Sequence, residues 1–321
     1  MAVSRVLGAL RSPWVRGGFL VVAVAAAVWA VQREWDDIGP ALRDMPVGLL
    51  LAALLTGVVY LLLTLLSWRA VLADLGSPLP LRKAFAVFFP SQLGKYVPGG
   101  VWNVVAVSEL GADLRIPRRR SFSAMAVALL VSVVTGLAVA APALTLTSGG
   151  AGAGYAWVWL ALPLAVALLA PPVSNRLLGV AMRLLRREPL EHPLTARGTV
   201  AAAGWSVAAW LCAGLQLWLI GLGVGFPADA DAYARVSGAY ALAWVVGFVV
   251  VVVPAGLGAR EVVLVALLAG VAPDAGAVIV VVLLARVAQT LADFLLAGAG
   301  VLVLRRGAAR AAQAQRSDAA G

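Results

Sequence analysis

The chain has 321 residues, of which 62% are hydrophobic and only 12% charged, with a net charge of +10 and a mean hydropathy of +0.96. A soluble domain carries about twice that charged fraction, and no polar stretch here is long enough for a soluble core, so a soluble enzyme is excluded. One cysteine, Cys212, and one histidine, His192, leave no material for an intrachain disulfide or a cysteine cluster, so neither metal nor cofactor is expected.

In chain order, Arg5, Arg11 and Arg16 precede an apolar run, as in a signal peptide. With further spans behind it, this run reads as an uncleaved first span over about 17–31. Further full spans are predicted at about 47–68, 121–143, 155–170, 199–224 and 275–304. Two more apolar segments are interrupted. One, about 81–110, breaks at Pro98, Gly99 and Gly100; the other, about 233–271, breaks at Pro254, with Gly256 and Gly258 behind it. The fold class is therefore all-α: a polytopic helical membrane protein with six full spans and two broken or re-entrant helical hairpins, an eight-span count also being open. Residues 1–321 form a single integral membrane domain. Trp14, Trp35, Trp68, Trp157 and Trp205 near span ends read as interfacial anchors.

Charge sets the orientation. With a cytoplasmic N-terminus and each interrupted segment returning to its own side, nineteen of the 25 basic residues fall on the cytoplasmic side. Arg33, Arg43 and Arg235 fall outside, and Lys95, Arg260 and Arg286 lie within apolar segments. This bias predicts a multi-pass protein with both termini cytoplasmic, and it assigns the positive charge to membrane loops rather than to nucleic acid. Arginine outnumbers lysine 23 to 2, as expected of a GC-rich bacterial genome, which makes the bacterial inner membrane the expected location. The first interrupted segment has basic flanks and enters from the cytoplasm; the second has Asp229, Asp231 and Asp274 in its flanks and enters from outside. From Arg82 to Val97 a helix reaches about 24 Å, short of the hydrocarbon core of about 30 Å, which favours re-entry for the first.

The interruptions match each other. Pro98-Gly-Gly-Val answers Pro254-Ala-Gly-Leu, and nineteen residues later Pro117 and Pro273 each open the next span. Three full spans plus a hairpin per half give halves of opposite orientation, about 17–145 and 155–305, followed by a short basic cytoplasmic tail at 306–321. Inverted repeats of this kind hold substrate where broken helices meet near the midplane.

Charged groups deep in a membrane cost several kcal/mol, about 2.5–3.5 on insertion scales, so Lys95, Glu109, Arg260, Glu261, Arg286 and Asp293 are expected to face protein or a wet cavity. Arg286, Gln289 and Asp293 stand at i, i+3 and i+7, on one helix face. They form either a polar track for a headgroup or a structural clasp between helices. Arg260 and Glu261 follow the Pro254 break, where a helix N-terminus and a guanidinium suit a phosphate; Glu261 also serves as a cap in its own right. Lys95 lies close to the first tip, for a cavity or for snorkelling. Gln92 and Asn103 bind exposed carbonyls or substrate, and Gln216 reads as helix–helix glue.

The stretches QLGKYVPGGVWN and VVVPAGLGAREVVLVALLAGVAPDAGAVIVVVLLARVAQTLADFLLAG resemble the lysylphosphatidylglycerol synthase transmembrane-region family, the flippase-like membrane proteins, over about residues 17–305. The most specific matches are Tyr96-Val97-Pro98-Gly99, the Pro254–Glu261 motif and Arg286. The resemblance implies a membrane domain that moves or handles anionic lipids. No soluble synthase domain accompanies it in these residues, so synthesis of an aminoacyl lipid is not expected. The leading expectation is a translocase for a phosphate-bearing lipid: an anionic or aminoacyl phospholipid, or a polyprenyl-phosphate-linked lipid. Its substrate-binding residues would be Lys95, Tyr96, Asn103, Arg260, Glu261, Arg286, Gln289 and Asp293. With no GxxxxGK[ST] motif, ATP-driven pumping is not expected. The alternative is a membrane glycosyltransferase, or an accessory subunit acting with polyprenyl-phosphate sugars, with Asp36 and Asp37 of the first outside loop as its acidic groups. A lipid-modifying enzyme or glycosyltransferase is the expected protein partner.

Overall fold

A chain this apolar has to satisfy its backbone polar groups internally, and helices do so within each segment. The computed structural model describes residues 43, 45–96, 102–146, 157–184, 191–249 and 259–320, and all regular structure among them is helical. The helices are α1 (Val47–Asp74), α2 (Leu81–Gln92) with a 3₁₀ turn at Leu93–Tyr96, α3 (Trp102–Ala112), α4 (Arg118–Thr145) and α5 (Trp157–Leu169). They continue with α6 (Pro171–Leu184), α7 (Ala196–Leu222), α8 (Ala230–Val249), α9 (Ala259–Leu268) and α10 (Ala275–Ala320). Five of them are long and apolar enough to cross a membrane: α1, α4, α7, α8 and the Ala275–Arg306 part of α10. The protein is a polytopic helical membrane protein. The predicted span at 17–31 and the breaks at Pro98, Gly99, Gly100, Pro254, Gly256 and Gly258 lie outside the described residues.

Three of the helices stop in the same way. Ser77 N donates to Leu72 O at 3.0 Å, Ile116 N to Gly111 O at 3.0 Å and Phe226 N to Gly221 O at 2.9 Å. Each of these closing bonds spans a residue in the left-handed region: Gly76 (φ 81°), Arg115 (φ 63°) and Gly225 (φ 91°). A left-handed residue after the last turn lets the free terminal carbonyls be satisfied. A proline then forbids continuation at Pro78, Pro117 and Pro227.

The scaffold is the antiparallel seam between α1 and α7. At one end the Asp74 carboxylate accepts from Thr195 N and from Thr195 Oγ1, both at 2.7 Å. Ser67 Oγ donates to Ala202 O at 2.9 Å further in, Gly57 makes room for the Gln216 amide, and Met45 meets Gly223 at the far end. On this seam α4 and α10 pack, α2 lies on α10, and α8 lies on α4 and α7. Small residues make these approaches close; a methyl on Gly238 would lie 2.5 Å from Ala143 Cβ.

Charge gathers at the end where α1 stops and α7 starts. Arg118 forms a two-pronged pair with Glu109, both bonds at 2.8 Å. Arg119 and Arg120 both pair with Glu191, and Arg120 also donates to Gly76 O at 3.0 Å. Arg69 donates to Leu79 O at 2.7 Å. Glu109, expected inside the membrane, thus belongs to this charged end, because α3 is long enough to carry it there.

Other expectations are corrected too. The span predicted at 155–170 is the 13-residue α5, about 20 Å long and too short alone. It passes as a span only together with α6, from which it is bent by 71°. The residues just beyond that predicted span are helical, as α6. The first arm of the second interrupted segment, α8, is of spanning length, which fits the crossing option that the sequence leaves open. Trp68 is no interfacial anchor: it is 1% exposed and packs on Phe88 at 5.3 Å between ring centroids. Apart from these differences, the basic tail extends α10 as helix through Ala320.

Candidate functional site

The intramembrane charges converge on α10. Its buried Asp293, whose side chain has no exposed surface, pairs with Lys95 Nζ at 2.5 Å and accepts from the Tyr96 hydroxyl at 2.7 Å. Both donors stand on the 3₁₀ turn that ends the first arm, so the turn aims them inward together. Tyr96 is fixed further by stacking on Phe294, with centroids 5.7 Å apart. Lys95 therefore takes the inward option rather than snorkelling, since a carboxylate in low dielectric attracts it more strongly than any exposed one. Two turns earlier on the same face of α10, Arg286 lies 3.6 Å from Glu261 of α9. Gln289 lies between the two pairs, 8% exposed, and both polar atoms of its amide lack a protein partner, as does Asp293 Oδ1.

Arg260 is placed differently. Its guanidinium lies over the ring of Tyr240 at 4.6 Å from the centroid, and it has no carboxylate within ion-pair distance among the described residues. Gly247 of α8 allows this, since a methyl there would stand 3.1 Å from Arg260 Cβ. Tyr240 packs edge-on to Tyr60 of α1, with centroids 6.3 Å apart. The Tyr60 and Tyr96 hydroxyls are both within electrostatic reach of Arg260 and of Asp293. One interior cluster thus joins α1, the 3₁₀ turn, α8, α9 and α10. Its charges are Lys95, Arg260 and Arg286 against Glu261 and Asp293, one positive charge in excess.

Seven of the eight expected substrate-binding residues, all but Asn103, contribute to this cluster. Asn103 is buried beside the arm, its backbone under Gly94 and its side chain accepting from Val104 N at 2.9 Å, a local structural role. Gln92 Nε2 is buried without a partner. Gln216 lies in the α1–α7 seam, as expected of helix–helix glue, but its Nε2 also lacks a partner. Asp36 and Asp37 lie outside the described residues. Tyr60 and Tyr240 were missed. The available signal was scarcity: the chain has five tyrosines, and three of them, Tyr60, Tyr96 and Tyr240, meet here. Among the described residues no group of three His, Cys, Asp or Glu is arranged to hold a metal.

A family model described as "Lysylphosphatidylglycerol synthase TM region" matches residues 17–297. No curated protein matches the chain significantly.

Proposed function

The chain belongs to the lysylphosphatidylglycerol synthase transmembrane-region family, and from that premise we propose that it translocates a phosphate-bearing lipid, an anionic or aminoacyl phospholipid or a polyprenyl-phosphate-linked lipid. The observation that carries this reading is Arg260: a guanidinium inside the helix bundle, stacked on Tyr240, with no carboxylate partner among the described residues. Glu261 is within electrostatic reach of Arg260 but also lies 3.6 Å from Arg286, so the cluster keeps one positive charge in excess. Such a charge is costly inside a membrane, and one phosphate negative charge brings the cluster to neutrality. Arg260 stands in the first turn of α9, and the positive potential of a helix N-terminus suits the same anion. A guanidinium offers the fork that fits phosphate oxygens. The acyl or prenyl chains stay in lipid while the headgroup occupies the cluster.

The packing supports an inverted repeat in which α1 to α4 answer α7 to α10. Helix α2 lies on α10 as α8 lies on α4; α1 lies on α10 as α7 lies on α4; α3 lies on α4 as α9 lies on α10. Exchange of the halves maps each contact onto another. Such a plan exposes a central site to each leaflet in turn by rocking one half against the other. The basic end then faces the cytoplasm.

The test is headgroup transfer in reconstituted vesicles, with a short-chain fluorescent phosphatidylglycerol and a polyprenyl phosphate as separate probes. Arg260→Ala and Arg286→Ala are expected to abolish transfer while thermal melts in detergent show folded protein. Wild-type rates in both variants overturn the reading.

A further inference from the structure

We propose that α6 is an interfacial helix that lies in the leaflet at the basic end of the molecule and binds its anionic headgroups through Arg176 and Arg183. This rests on the elbow and faces of α6, and not on translocation. Helix α5 ends at Leu169, and α6 starts at Pro171 with its axis turned by 71°. Helix α5 packs on the spanning helix α4, so a bend of 71° at its end turns α6 toward the membrane plane. The elbow is fixed: Ser174 Oγ donates to Leu168 O at 2.5 Å. Asn175 exchanges two hydrogen bonds with the Leu194 backbone, at 3.0 and 2.8 Å, which ties α6 to the segment leading into α7 at the charged end.

Successive helical residues turn by about 100°, and this divides α6 into three sectors. Ser174, Leu178 and Met182 face the protein; Ser174 and Met182 are buried and Leu178 packs on the core. Val173, Leu177, Val180 and Leu184 form a second stripe, 36%, 48%, 43% and 79% exposed. Arg176 and Arg183 form a third, both exposed; neither makes an ion pair among the described residues, and Arg183 only approaches Gly179 O of its own helix at 3.4 Å.

An apolar stripe beside a basic one, on a helix bent into the membrane plane, matches an acyl-chain and headgroup boundary. The occupant is lipid rather than protein because the apolar stripe continues from α5, whose Leu160, Leu164 and Val166 are 81%, 68% and 53% exposed on a helix packed against the spanning α4, where lipid tails cover such side chains. The arginines select the anionic lipids of that leaflet.

The experiment uses the full chain with Cys212, its one cysteine, replaced by alanine, and a fluorescent label on Leu184→Cys or Gly179→Cys. A methyl at Gly179 meets nothing within 4 Å, so that position serves as the control on the arginine side. In phosphatidylcholine vesicles containing 30% phosphatidylglycerol, the label at 184 is expected to be quenched by spin-labelled acyl chains and shielded from iodide, with the reverse at 179. Spin-labelled phosphatidylglycerol should quench about fivefold more effectively than spin-labelled phosphatidylcholine, the factor for one arginine–headgroup contact. Arg176→Gln with Arg183→Gln should bring the two lipids to parity. A label at 184 that iodide reaches and neither lipid quenches makes that face a protein-docking surface and overturns the proposal. Equal quenching by both lipids with the arginines intact overturns the anionic selectivity.

Discussion

The two interrupted segments use the same parts in the same order, but their first arms differ in length. Gly76 and Gly225 close the helices before them in the same left-handed turn. From Pro78 to Pro98 is 20 residues, whereas from Pro227 to Pro254 is 27; after the break, Pro117 and Pro273 follow at the same distance. The seven extra residues therefore belong to the arm before the break. Helix α2 reaches about 18 Å and α8 about 30 Å. The short arm finishes in a polar 3₁₀ turn whose Lys95 and Tyr96 are caught by Asp293. The long arm carries no charge from Val236 to Val249, and its interior cation, Arg260, comes after the break. A membrane helix that stops short needs a partner for its polar end; one that crosses does not.

This contrast is open to measurement by equilibrium unfolding in mixed micelles. Asp293→Asn removes the charge that pairs with Lys95 at a fully buried position, and it is expected to cost about 3–5 kcal/mol. Gly94 and Gly247 are the glycines on which the returning helices rest, but at different distances. A methyl on Gly94 would stand 2.4 Å from Asn103 N, backbone against backbone, whereas on Gly247 the nearest atom is Arg260 Cβ at 3.1 Å. Gly94→Ala should cost about 3 kcal/mol and Gly247→Ala under about 1 kcal/mol. Equal losses would mean that the two arms are gripped alike. Glu261→Gln loosens the wider, partly exposed pair of the second arm and should cost about 1 kcal/mol at most. The smallest effect concerns the end of α3, where Arg115 occupies a left-handed position that glycine holds in α1 and α7. Arg115→Gly should stabilise by about 1 kcal/mol, read as a raised melting temperature.

The sequence made the starts of α4 and α10 legible just after Pro117 and Pro273, because proline acts locally. It made the face shared by Arg286, Gln289 and Asp293 legible, because helical spacing needs no tertiary knowledge. It did not reveal the partners. Asp293 meets Lys95 across 198 positions of chain, and nothing local encodes that distance. Tyr60 and Tyr240 hid in apolar runs where tyrosine ordinarily packs as a hydrophobe. Helix α6 hid because its three sectors average to a polar composition, and the Pro171-Pro172 pair reads as the end of a span when it is an elbow. Trp68 misled because proximity to a helix end does not fix depth once a neighbour such as Phe88 covers the ring.

Both arms finally depend on one rod. Asp293 holds the first and Arg286 the second, seven residues apart on the same side of α10, and α10 runs as one helix past both. A stroke of α10 by a single turn, about 5.4 Å, would carry each group away from its partner at the same instant. The two ends of the central cluster are then not separate locks that open in either sequence. They are two teeth on one bolt, and whatever shifts the bolt releases both.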